Sequence, residues 1–79
     1  QTSPFDLAYL AYRGYFSTEG IPSSGGLIAA LVSETVTAQD IMQAAVKANR
    51  LSEQTLNDED YRFALENFLQ GFTCMNNDR

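Results

Sequence analysis

Apolar residues crowd the beginning of the chain and then thin into stripes. Phe5, Leu7, Ala8, Tyr9, Leu10, Ala11, Tyr12, Tyr15 and Phe16 are interrupted only by Asp6, Arg13 and Gly14. That pattern predicts a helix from Pro4 to about Ser17, apolar nearly all round and so buried on several sides, the most buried of the set. Gly20 and Pro22 break the chain before a second apolar block, Leu27-Ile28-Ala29-Ala30-Leu31-Val32. The block predicts a short helix to about Ser33, capped by Ser23 or Ser24, with Gly25, Gly26, Ala29 and Ala30 admitting another backbone closely. Ile41, Ala44, Ala45 and Ala48 form a single stripe widened by Met42 and Val46, which predicts a third helix from Ala38 to about Asn49. A fourth is expected from Asp58 to Gln70, with Tyr61, Ala64, Leu65, Phe68 and Leu69 at core spacing and Gly71 as its stop.

Three of these helices share an entry pattern: Ser3-Pro4-Phe5-Asp6, Thr37-Ala38-Gln39-Asp40 and Asn57-Asp58-Glu59-Asp60. In each, a short oxygen-bearing residue can accept from a free first-turn N–H, and an Asp three positions later can reach back to it and offset the positive helix end. Val36 with Ile41, and Leu56 with Tyr61, flank two of the caps as hydrophobic staples. Pro4 suits a first helical position because its missing N–H is not needed there. The expected fold is all-α, a compact bundle of four or five short helices. It forms one domain over residues 1–79, ordered from about 3 to 72, with a polar tail at 73–79. Segments 35–45 and 55–65 align at an offset of 20 (57 − 37), but nearly all shared positions are capping positions, so common capping chemistry explains the match better than an internal repeat.

Composition narrows the function. Ten acidic residues against five basic give a net charge of −5, which repels phosphate backbones and anionic lipid surfaces; nucleic acid and membrane are not expected partners. The lone cysteine, Cys74, cannot pair within the chain, and no targeting or membrane-spanning segment is recognisable. A cytoplasmic protein is expected. The chain contains no histidine, which removes the commonest general base, the commonest transition-metal ligand and every Ser-His or Cys-His pairing.

The remaining motifs have structural explanations. Asp58-Glu59-Asp60 lacks the spacing of a calcium loop and is explained by the helix dipole. Ser23-Ser24-Gly25-Gly26 lacks the Gly-Lys-Ser/Thr ending of a phosphate loop. Helices three and four lack the basic and amide side chains of a helix-turn-helix reader. No catalytic residue, cofactor or metal is expected, and the protein is read as a non-enzyme. Tyr9, Tyr12 and Tyr15, with Arg13 and Phe16 beside them, form the one ribbon with chemistry to spare, since Tyr and Arg often anchor interfaces. They make the candidate surface of a small protein-interaction or regulatory module, binding a protein partner or a second copy as a homodimer. The alternative is a binding protein for a small apolar or aromatic ligand, held among Tyr9, Tyr12, Phe16 and Phe63.

The run Pro4-Phe5-Asp6-Leu7-Ala8-Tyr9-Leu10-Ala11-Tyr12-Arg13-Gly14-Tyr15-Phe16, followed by Gly20-Ile21-Pro22-Ser23 and by Ala44-Ala45-Val46-Lys47-Ala48-Asn49-Arg50-Leu51, resembles a family of short cyanobacterial proteins of uncharacterised function. The resemblance covers most of the chain. It implies a cytosolic regulatory or accessory protein and transfers no catalytic residue.

Overall fold

The computed structural model describes residues 2–77, with side chains up to Thr73, and four α-helices carry the fold: α1 (Pro4–Arg13), α2 (Ser24–Val32), α3 (Ala38–Lys47) and α4 (Glu59–Asn77). Short 3-10 segments at Ser17–Glu19 and Glu53–Asn57 interrupt the connections before α2 and α4. No strand occurs among the described residues.

Local chemistry places the helix starts. The Ser3 hydroxyl accepts from the Asp6 N–H at 3.2 Å, and Pro4 occupies the first turn. At α3 the reciprocal box is complete: the Asp40 N–H donates to the Thr37 hydroxyl at 3.3 Å, and the Thr37 N–H donates to the Asp40 carboxylate at 3.0 Å. Val36 and Ile41, flanking that cap, are both buried in the core. The start of α4 lies one residue later than expected. Asn57 ends the 3-10 turn, and it is the Asp58 carboxylate that accepts from the Tyr61 N–H at 3.1 Å. The shift moves Leu56 and Tyr61 out of staple register and sets the α4 cap 21 residues after that of α3 (58 − 37) rather than 20. Thr37→Ala and Asp58→Ala are each expected to destabilise by about 0.5–2 kcal/mol, while Asn57→Ala stays near zero. Urea midpoints of the three variants check this.

Helix exits follow one rule that the sequence pattern does not display. Gly14, Glu34 and Asn49 all have positive φ, and the next residue in each case donates its N–H five residues back: Tyr15 to Leu10, Thr35 to Ala30 and Arg50 to Ala45. This left-handed close satisfies the last free carbonyls. Gly14 ends α1 at Arg13, four residues short of the expected Ser17. Its φ of 92° suits glycine, and a Cβ there would meet the Ser23 Cβ at 3.1 Å. Gly71, by contrast, is not a stop. It lies within α4, which continues to Asn77, so most of the expected polar tail is helical; positions 78 and 79 lie outside the described residues.

Packing radiates from α4, which lies against α1 most extensively and also against α2 and α3. The fully buried side chains include Leu7 of α1, Leu27 of α2, Ile41 and Met42 of α3 and Leu65 of α4, joined by Phe16 from the loop after α1. Ala8, Ala11 and Ala45 are also buried, their small volumes suiting close helix approach. Among the described residues α3 has five buried positions and α1 three, so α1 is not the most buried helix. One side of α1 faces solvent because Phe5 and Tyr9 project away from the Leu7–Ala11 stripe. The radius of gyration, 11.5 Å, equals the roughly 11.6 Å expected of a compact chain this long.

Candidate interaction surface

Helical geometry divides the expected aromatic ribbon. A spacing of three residues drifts about 60° around a helix at each step, whereas a spacing of four drifts only about 40°. Phe5 and Tyr9, four apart, therefore share the outer side of α1 and are 56% and 52% exposed. Tyr12 turns toward α4 and is half-buried, its ring 5.1 Å from that of Phe72. Tyr15 lies beyond the Gly14 break and leaves the helix face altogether. Phe16, expected on the surface, is 1% exposed and belongs to the core; its ring meets Tyr15 edge-on at 5.1 Å. Reversal of the chain at Gly14 drives Phe16 inward.

The exposed aromatic cluster thus has different members. Phe5 meets Phe68 of α4 edge-to-face, with centroids 5.2 Å apart and planes at 72°. Phe68, expected in the core, is 40% exposed. Phe5 and Phe68 line the outer side of the α1–α4 seam, Tyr9 lies beside Phe5 on the same exposed face of α1, and the half-buried Tyr12–Phe72 pair is set deeper in the seam. The four-residue spacings Phe5/Tyr9 and Phe68/Phe72 were the signal that could have marked this surface. Phe63 does not join it: two residues before Leu65, it lies about 200° around α4, away from the core, and is 64% exposed. The rings named for a ligand cavity, Tyr9, Tyr12, Phe16 and Phe63, consequently do not converge. Ring contacts fill the α1–α4 seam in its place.

Arginine is drawn to this end of the molecule. The Arg13 guanidinium lies 5.7 Å above the Tyr9 ring. Arg50, in the loop after α3, stands 4.9 Å over the Tyr15 ring, and its Nε donates to the Tyr15 hydroxyl at 2.9 Å. Next to it the Thr2 N–H donates to the Arg50 carbonyl at 3.2 Å, and the Thr2 carbonyl accepts from the Tyr61 hydroxyl. Burial, assisted by the negative charge of Asp6, pushes the Tyr61 phenol up to about 12.

Grooves lie elsewhere on the surface. One of about 390 Å³ runs between α2, α3 and α4, with Leu31, Val36 and Leu69 in its floor and Glu34 and Glu66 at its rim. Asp6, Glu19, Glu34, Asp40 and Glu66 are all exposed, so no two of these carboxylates are buried side by side. Among the described residues no group of three or more His, Cys, Asp or Glu could hold a metal ion, and no helix is long and apolar enough to cross a membrane. The Cys74 side chain lies outside the described residues. No family model matches the chain, and no curated protein or solved structure matches it.

Proposed function

We propose that this chain is a non-catalytic protein-interaction module of the cytosol, with a regulatory or accessory role, and that it docks a protein partner or a second copy of itself through the outer side of the α1–α4 seam. The observation that supports this reading is the Phe5–Tyr9–Phe68 cluster: three large rings, in contact or on one helix face, held 40–56% in solvent. At about 200 Å² per ring, they expose on the order of 300 Å² of apolar surface. A patch of that size on a small chain is often functional. It is less than the roughly 800 Å² per side of a standard interface, so it serves as the apolar centre of a wider footprint.

Sedimentation velocity and affinity capture from native cytosol test the proposal together. Phe5→Glu and Phe68→Glu are expected to convert a dimer to monomer, or to release a specifically retained partner, at unchanged helical content. Phe63→Glu, more exposed but on another face of α4, is expected to change neither. A wild-type chain that stays monomeric and retains no protein overturns the reading, as does equal sensitivity to Phe63→Glu.

A further inference from the structure

The five basic residues of the chain are Arg13, Lys47, Arg50, Arg62 and Arg79. Arg62 is engaged with Glu66 at 3.7 Å, and Lys47 lines a groove that also contains Glu19 and Asp40. Arg79 lies outside the described residues. The remaining two, Arg13 and Arg50, line one open cleft of about 460 Å³ together with Thr2, Asp6, Tyr9 and Leu10. Neither guanidinium has a carboxylate within ion-pair distance among the described residues, although acidic residues outnumber basic ones two to one. Asp6 shares the cleft, yet two guanidiniums against one carboxylate leave it a positive surplus.

Each guanidinium lies within cation–π distance of a tyrosine ring. Arg13 is placed over Tyr9, and Arg50 is placed over Tyr15 with its Nε on the phenol oxygen. Arg50 spends its Nε–H on the Tyr15 hydroxyl and keeps its terminal amino groups as donors, and a guanidinium already ordered loses less entropy when it binds. Two guanidiniums lining one cleft supply the donors that the paired oxygens of a carboxylate or a phosphate accept from. The backbone bond from Thr2 to the Arg50 carbonyl ties the amino-terminal segment to the Arg50 loop at the cleft wall. The volume falls within the range of small-molecule sites, and the Tyr9 and Leu10 side chains supply an apolar wall. The remaining negative charge of the chain is spread over the surface and screened beyond about 8 Å at physiological salt, so groups in contact decide the sign.

We propose that this cleft is a binding site for a small oxyanion, a carboxylate or phosphate group gripped by Arg13 and Arg50, adjoining the aromatic docking surface at Tyr9, which borders both. Inorganic phosphate and benzoate are the probes, each titrated against the 15N-labelled full chain at constant ionic strength with chloride as control. Saturable shifts are expected at the Arg13 and Arg50 Nε–H signals and at the Tyr9 amide. The tighter of the two probes identifies the tetrahedral or planar class. Arg13→Gln, at an exposed position, is expected to weaken binding at least about fivefold with the fold intact. Arg50→Gln is expected to do the same, and Arg13→Gln decides the matter if Arg50→Gln unfolds the chain. Arg62→Gln is expected to leave affinity unchanged. Absence of saturable shifts with both probes, equal shifts with chloride, or undiminished binding by Arg13→Gln overturns the site.

Discussion

Leu65→Ala is expected to lower the free energy of unfolding by about 2–5 kcal/mol, the range for emptying a fully enclosed leucine site. Leu65 is 0% exposed and sits on α4, which packs against each of the other three helices. Its loss removes buried methylene contacts and leaves a cavity whose walls belong to separate helices, which limits how far the surroundings can collapse. For a chain of this length the whole stability is about 4–12 kcal/mol, so the variant loses a large fraction of it and is partly unfolded near 37 °C. Phe63→Ala, two residues away on the opposite side of α4, removes a larger side chain but stays within about 0.5 kcal/mol of wild type. Urea unfolding with an unchanged m-value checks both. A Leu65→Ala shift below about 1 kcal/mol would show that α4 does not pack through this face.

What the sequence makes legible here is what three or four consecutive residues decide between themselves. Ser3 with Asp6 and Thr37 with Asp40 form hydrogen bonds across three positions, so the starts of α1 and α3 can be read from the chain. Where two capping oxygens compete, the reading slips: Asn57 and Asp58 are adjacent, and the 3-10 turn ending at Asn57 hands the cap to Asp58. Gly14 and Gly71 show the same limit at helix exits. Both are glycine after an apolar stripe, yet one adopts φ of 92° against Ser23 and the other continues a helix. Nothing in the local sequence reports the neighbour that decides between them. The candidate surface divides in the same way. Arg13 lies four residues from Tyr9, and their pairing was accessible in outline. Arg50 reaches Tyr15 across 35 positions, and Phe5 meets Phe68 across most of the chain, contacts that only the assembled bundle produces.

Stability is expected to fall between about pH 10 and pH 12 in a way that depends on Tyr61. Its hydroxyl donates to the Thr2 carbonyl, and desolvation first, then the nearby Asp6 carboxylate, holds its proton on up to about 12, against 10.0 in the unconstrained side chain. The folded state therefore keeps a proton that the unfolded state has already released. A raised folded pKa contributes stability that is fully present below pH 10 and is lost as pH rises through 12. Two full units correspond to about 2.7 kcal/mol. Partial contact of the ring with water reduces that to about 1–2 kcal/mol. Ionisation also converts the donor into a phenolate that faces a carbonyl oxygen, so the tie between α4 and the amino-terminal segment becomes a repulsion. The comparison that isolates the effect is wild type against Tyr61→Phe. Wild type should be the more stable by about 1 kcal/mol below pH 10, from the hydrogen bond, and the difference should shrink and then invert toward pH 12. Tyrosinate absorbance should show a late-titrating component in wild type that Tyr61→Phe lacks. Parallel stability curves for the two proteins from pH 9 to pH 12 would place Tyr61 in water and remove it from the clamp on Thr2.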